Sequence, residues 1–335
     1  MYENLAMMTP HVAKMAIVVI AGLAALLVFR NNVVIDTGLL TRDARSELFN
    51  RIASTPTFYD QVSTRVESTK EVEKYRWLGT VPQMRDFGNG RLAKGLRAES
   101  YDVNASKYEA TIEVDRNELA DDQTGQIRIR IAELAQRAAT HKDYLLGQLL
   151  INGGASGYNS YDGVTYFNSA HVSGKSGSQS NDLTFAAATG TTPTAQEFHD
   201  AYAQAVETML GLVDDQGEPM SPDEDGLIVV VPPKLRTIAR TALRSQILNQ
   251  TTNILENEAM VKVFVRLTDA TQFFVMKNNG IVRPFIFQDR EPIEFGALEI
   301  QSEEGFKREK FQYGVRARYA MAYAYWQFCV RTTFT

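Results

Sequence analysis

Apolar positions change their spacing several times along the chain, and each change predicts an element. Tyr108, Ala110, Ile112 and Val114 alternate with Glu109, Thr111, Glu113 and Asp115, the period of a strand over 107–115 with one buried and one wet face. Beyond Asp121-Asp122, the residues Ile127, Ile131, Leu134, Ala138, Leu145 and Leu149 fall at helical spacing. They predict one helix over 125–151, ~40 Å long, stopped by Asn152-Gly153-Gly154. Thr194 offers an N-cap to a second helix with a stripe of Phe198, Tyr202, Ala205, Val206, Met209 and Leu210. Leu227–Val231 is a wholly apolar strand, and Pro232-Pro233 open a helix through Leu235, Ile238, Ala239 and Leu243. Further strands are predicted at 261–267, 272–276 and 284–288. From Lys310 to Phe334, alternation of Phe311, Tyr313, Val315, Ala317, Tyr319, Met321, Tyr323 and Tyr325 predicts one very long strand or a bent pair.

The remaining segments carry weaker patterns. Thr41 caps a short amphipathic helix with Arg42, Ala44, Leu48, Phe49 and Ile52, ending near Ser54-Thr55-Pro56. Between Tyr75 and Asp102, Gly79, Pro82, Gly88, Gly90 and Gly95 break any regular element and charges of both signs alternate. This is a long, polar, glycine-hinged excursion. Residues 153–193 are rich in Gly, Ser, Asn and Thr and read as a long loop with room for one hairpin. Near the N-terminus, Met15–Phe29 is an unbroken apolar run between Lys14 and Arg30. As a helix it reaches only ~22 Å, short of the ~30 Å hydrocarbon core. It reads as a signal peptide or short anchor, as a buried or subunit-bridging helix of a soluble assembly, or as the product of a start codon set too far upstream. No small-x-small cleavage site follows it, so a retained arm is expected.

Composition narrows the class. The chain has 335 residues, 44% hydrophobic and 22% charged, with a mean hydropathy of -0.23, which excludes a disordered chain and a polytopic membrane protein. Lys+Arg at 35 against Asp+Glu at 40 leaves a net charge of -5, the wrong sign for a dedicated nucleic-acid binder. Cys329 is the single cysteine, and the four histidines are scattered. No zinc site and no internal disulfide follow, and the chain is expected to be made in a reducing cytoplasm.

Candidate chemistry is sparse. No G-x-S-x-G elbow and no G-x-x-x-x-G-K-[ST] loop is present, and Gly88-Asn89-Gly90 lacks the flanking strand and helix of a dinucleotide site. His171 could serve as a base beside Asp162, but a turn histidine holding its loop through a backbone hydrogen bond is the favoured reading. The acidic turn Asp214, Asp215, Glu218, Asp223, Glu224, Asp225 invites calcium, yet Pro232 stands where an EF-hand loop needs Glu. It reads as a solvated tip. The mixed charges of Arg85 to Glu99 fit pairing across a protein interface, where such pairs set register and partner choice. No catalytic, metal or cofactor site is expected.

The order of these pieces resembles the major capsid protein of tailed bacteriophages with the Hong Kong 97 fold (HK97-type), and within it the Mu-like major head subunit gpT family. The resemblance rests on Trp77-Leu78-Gly79-Thr80-Val81-Pro82 with Arg85-Asp86-Phe87, and on the 107–115 strand leading to Arg116, Asn117 and Asp121-Asp122. It rests further on Tyr161-Asp162-Gly163-Val164-Thr165-Tyr166-Phe167 with His171 and Ser180-Asn181, and on Leu227-Ile228-Val229-Val230-Val231-Pro232-Pro233. It covers roughly 36–335, and the apolar run 15–29 departs from the family pattern.

The resemblance implies an α+β capsid fold: an uncertain segment 1–35, an N-terminal arm 36–76, an extended E-loop 77–107, a peripheral P-domain over 108–194 and 291–335 with spine helix 125–151, and an axial A-domain over 195–290. Trp77, Arg85, Asp86, Arg91, Lys94, Arg97 and Glu99 would then be intersubunit contacts. Implied partners are further copies of the chain in hexamers and pentamers, a separate scaffolding protein, a maturation protease, a portal, and double-stranded DNA packaged without sequence specificity. Implied location is the virion, assembled in the host cytoplasm. Two rivals stand beside this reading: an encapsulin-type shell with the same fold, and an exported enzyme or binding protein whose signal is residues 1–30.

Overall fold

The computed structural model describes residues 37–335 apart from 71, 76–77, 79–100, 116–117, 119–124, 189, 222 and 299–301. In chain order, helix α1 (Thr37–Ser54) and the single turn α2 (Tyr59–Val62) lead into strands β1 (Ser63–Glu67) and β2 (Val72–Tyr75), then β3 (Tyr101–Asn104) and β4 (Ser106–Asp115). The long helix α3 (Gln126–Asn152) follows, then short strands β5 (His171–Val172), β6 (Ser178–Gln179) and β7 (Asp182–Phe185). Helix α4 (Ala195–Gly211), strand β8 (Leu227–Val231), helix α5 (Arg236–Arg244), a small hairpin of β9 (Ile247–Leu248) and β10 (Thr251–Thr252), and strands β11 (Met260–Val263) and β12 (Gln272–Lys277) come next. The chain closes with β13 (Phe285–Leu298), α6 (Glu303–Arg308), β14 (Lys310–Tyr323) and β15 (Cys329–Phe334).

Two main sheets result. One has the order β1-β13-β14-β4, the other β11-β8-β12-β15-β7. In the first, β14 runs antiparallel to both neighbours, with Phe311 opposite Val114, Tyr313 opposite Ile112 and Val315 opposite Ala110. These inward rows meet Ile127, Ile131, Leu134 and Ala135 of α3 and Ala44 and Leu48 of α1 in a small core. The other face of β14 carries Arg316, which pairs with Glu291 at 2.8 Å, and Arg318, which pairs with the same carboxylate at 3.0 Å. Past Asp289, where pairing with β1 ends, β13 has only β14 beside it among the described strands. Pro292 sits in that stretch, where register shifts interrupt the ladder, a position where a missing N–H costs no second ladder bond.

The five-stranded sheet anchors the larger core. All of β8 is buried, as expected for a central strand covered on both faces, and α4 is held at its start by a full capping box between Thr194 and Glu197. Leu146 and Leu150 bring the C-terminal half of α3 into this second core. One helix thus serves both.

The structure corrects three expectations in detail and decides a fourth. Helix α1 already includes Thr37–Leu40, so the expected cap Thr41 lies inside it. The strand expected at 261–267 stops at Val263, after which Leu267 N–H closes a turn onto the Phe264 carbonyl. The strand expected at 284–288 runs on to Leu298. The stretch 310–334 is a bent pair, broken by the 3-10 turn Trp326–Phe328, and its two halves lie in different sheets. Gly153 ends α3 in right-handed conformation. Its lack of a side chain is required by Phe167, whose ring lies 2.6 Å from where a Cβ would stand.

The loop after α3 is fastened from within. His171 and Asp162 have side chains 0% and 1% exposed, with Nδ1 and the carboxylate 2.5 Å apart. Nε2 faces the Tyr166 carbonyl at 3.2 Å and Asn181 Oδ1 at 3.1 Å, and the ring stacks on Trp326 at 4.0 Å. Asn181 in turn donates to the Tyr166 and Cys329 carbonyls. The expectation of a loop-holding histidine with a backbone contact stands, and the Asp162 contact is part of that fastening. We predict that His171→Ala, which strands a buried carboxylate, costs about 3–5 kcal/mol, measured by denaturant unfolding of the unassembled subunit.

Candidate assembly surfaces

For a chain expected to bind itself, the functional groups are those that hold the extended parts and those left open on the surface. The root of the expected E-loop is described. Strands β2 and β3 pair antiparallel, Val72 opposite Asn104 through Tyr75 opposite Tyr101, so the chain leaves and returns side by side. Tyr75 Oη donates to Gln288 Oε1 at 3.1 Å, and Tyr101 Oη accepts the Tyr323 N–H at 3.3 Å. Burial raises both phenols, that of Tyr101 to about 12. Tyr75 and Leu78 are themselves buried. The root is therefore pinned to the first sheet. Trp77, Arg85, Asp86, Arg91, Lys94, Arg97 and Glu99 lie outside the described residues, as does the apolar run 15–29. No described helix is long and apolar enough to cross a membrane.

A second junction ties the arm to the long helix. Asp143 of α3 is 9% exposed, and its carboxylate accepts the N–H groups of Phe58, at 3.0 and 3.1 Å, and Tyr59, at 2.9 Å. It caps the single turn α2 from another element, satisfying donors that a helix start leaves open. Beside it, Lys142 Nζ donates to Tyr59 Oη at 3.0 Å and lies about 5 Å from the Tyr59 and Phe287 rings. His141 Nδ1 is 2.8 Å from Tyr319 Oη. Burial lowers the pKa of Lys142, against pulls from Asp289, Asp60 and Asp143. Burial also lowers that of His141, helped by Arg266. His141 lines a groove of about 180 Å³ between α3 and the first sheet, with Tyr108, Arg137, Ile293 and Tyr319.

The reading of the sequence missed this junction, although a signal was present. The buried stripe of α3 runs through Ile131, Ala135, Ala139 and Leu146 with Asp143 in register among them. A carboxylate at an apolar position points to a buried acceptor.

Exposed apolar side chains gather at the ends of the sheets. Phe306 of α6 is 85% exposed, near half-exposed Leu298 at the far end of β13. Ile247 and Ile254 flank the small β9–β10 hairpin, and Ile281 projects between β12 and β13, all well exposed. Scattered apolar exposure is ordinary, but grouped exposure at projecting tips is the mark of a contact surface. Among the described residues no group of three His, Cys, Asp or Glu could hold a metal. The acidic turn is instead built from local bonds: Asp214 accepts from Gln216 and Glu218, and Asp223 pairs with Lys277.

An anchored ribbon root, a two-sheet body strung on one long helix and open apolar tips describe a structural subunit, and the comparisons say of what kind. The fold matches a subunit of the procapsid of bacteriophage JBD30, with a TM-score of 0.54 at 20% identity over 89% of this chain and 74% of that one. This is the HK97-type phage capsid fold. The sequence matches the Mu-like prophage major head subunit gpT family over residues 40–193 and 265–334. The major capsid protein of Escherichia phage Mu is 21% identical over 287 residues, 85% of this chain and 70% of that protein. The Mu-like prophage FluMu major head subunit of Haemophilus influenzae is 21% identical over 277 residues, 82% of this chain and 66% of that protein. The chain thus spans about two thirds of the length of these relatives. It belongs to the Mu-like major head subunit family, a family of structural capsid proteins, not of enzymes. The expected α+β capsid fold is the one found.

Asp143 gives two expectations. Asp143→Ala, which leaves two buried N–H groups without an acceptor, costs about 1–3 kcal/mol in chemical unfolding. Burial raises the carboxyl pKa, against lowering by the Tyr59 and Phe58 N–H groups and Arg266. The native state therefore keeps its proton to higher pH than the unfolded chain. That contribution is full below the unfolded value of about 3.9 and is lost as pH rises through the folded one. Wild type should accordingly lose stability relative to Asp143→Asn as pH is raised across that interval, read from paired unfolding curves.

Proposed function

We propose that this head subunit assembles as hexamers and pentamers into an icosahedral shell that encloses phage DNA, by the lapping of each E-loop over a neighbouring copy. The pinned root of that loop carries the reading. Two short strands hold the ends of 76–100 together on the first sheet, so the ribbon springs from a fixed base. The sequence between is polar and glycine-broken, with too few apolar residues to form a core of its own, and such a ribbon gains its stability on another surface. Trp77, Arg85, Asp86, Arg91, Lys94, Arg97 and Glu99 are its contact residues. The four-stranded sheet with α3 serves as the peripheral domain and the five-stranded sheet with α4 and α5 as the axial one.

The remaining partners follow from the role. A shell filled with DNA needs a portal, and a separate scaffolding protein and a maturation protease are the further partners of this reading. A net charge of -5 suits a wall that encloses DNA without gripping it by sequence. Assembly takes place in the host cytoplasm.

Electron microscopy of the purified full chain tests this reading. Closed shells or flat hexameric sheets are expected. Replacing residues 79–98 by a short Gly-Ser linker should leave the subunit folded by circular dichroism and abolish the shells. A monomer in both preparations would overturn the proposal.

A further inference from the structure

Beside the five-stranded sheet lie two charged features of opposite sign. Residues 226–255 contain Lys234, Arg236, Arg240 and Arg244 and no acid. All four cations are exposed, and the three arginines recur every four residues along α5, so they line one face of it. Arg244 Nη1 donates to Asn257 Oδ1 at 2.7 Å, and none of the four makes an ion pair with a described residue. Next to this stripe projects the β9–β10 hairpin with exposed Ile247 and Ile254. Its turn residues Asn249 and Gln250 are held at positive φ, the geometry of a tight two-residue hairpin. Residues 201–226 have the opposite character, with seven acids and no Lys or Arg, and Glu218, Glu224 and Asp225 are exposed.

These two features flank opposite ends of strand β8. The acidic turn joins the C-terminus of α4 to the start of β8, whereas α5 begins past the other end of β8. The hairpin after α5 returns to the N-terminus of α4, where Asn249 Nδ2 donates to Gln196 Oε1 at 3.0 Å. Helix α4, with 17 residues, is ~25 Å long and runs from the hairpin side to the acidic turn. No ion pair joins the two patches among the described residues, and complementary patches left apart within a subunit can meet between subunits placed head to tail, where such contacts close into rings when the rotation allows.

We propose that the basic face of α5 docks on the acidic turn 213–226 of the adjacent copy in the ring, with Ile247 and Ile254 at the apolar edge of the contact. The inference rests on the shell reading and names the contact within each capsomer. Charge alternation of this kind sets the order and orientation of neighbours more than their affinity.

Charge exchange in the full chain tests it, with particles scored by electron microscopy and sedimentation and folding checked by thermal melting. R236E/R240E/R244E and E218K/E224K/D225K should each lower particle yield by about tenfold or more. The chain with all six changes should assemble again. Equal amounts of the two triple variants should form rings only by alternation, which permits hexamers and forbids pentamers, so sheets or tubes should replace closed shells. R236Q/R240Q/R244Q serves in place of the reversal if that variant does not fold, with the same loss expected. Unchanged assembly of a folded basic-face variant overturns the proposal, as does failure of the six-change chain while it remains folded. Basic-face shells that form normally and lose only their DNA would assign the stripe to phosphate and overturn it equally. Wild-type protein that forms no particles would instead defeat the shell reading beneath it.

Discussion

Everything in this subunit hangs on α3 having two buried ends. Its first half gives Ile127, Ile131, Leu134 and Ala135 to the small core under the first sheet, and its second half gives Leu146 and Leu150 to the larger core. Neither core is built around the helix alone. The helix holds the two sheets in one body because each half is fixed by apolar burial that does not depend on the other. At the crossing between them stand His141, Lys142 and Asp143, and the last reaches out to seat the arm through backbone N–H groups. A side chain that binds main-chain donors fixes position without regard to the arm's side chains. The arm can vary in sequence and keep its seat.

The elements that can be read from sequence are those whose period is set by a single neighbour. Strand β4 alternates cleanly because one face meets α3 and the other meets water, and α4 is announced by Thr194 and Glu197 together. What was not legible depends on long-range pairing. The alternation of 310–334 looks continuous, because β14 and β15 present the same pattern to different sheets, and only the partner strands β4 and β12 reveal the break at Trp326. Likewise β7 is a short strand in a Gly- and Ser-rich stretch, and it exists because β15 offers it an edge. Its own residues carry no strand signal strong enough to be noticed.

The candidate site divides in the same way. The polar excursion was visible as composition, since five glycines and prolines in alternating charge exclude a core, and its root emerges from pairing that residues 72–75 and 101–104 do not declare by themselves. Asp143 and the basic face of α5 were legible in principle, one as a carboxylate in an apolar stripe and the other as arginines at a spacing of four. Both were passed over because a helix scan weighs apolar positions and treats charged ones as background. In a shell protein the charged positions carry the information about neighbours.

Chain order and physical role coincide here for a mechanical reason. A subunit that must tile a curved surface needs a stiff body and extensions whose partners lie elsewhere. The stiff part is made of long-range pairs: β13 with β14, β12 with β15, and α3 through both cores. The parts at the edges are local, a two-strand root and a two-residue hairpin, each fastened at its base by buried polar contacts such as Tyr75 with Gln288 and Asn253 with the Ala242 carbonyl. Fastening at the base leaves the reaching surface unspent. The apolar tips at Ile254 and Phe306 and the arginines of α5 remain exposed, and groups left exposed in one subunit are those available to a neighbour.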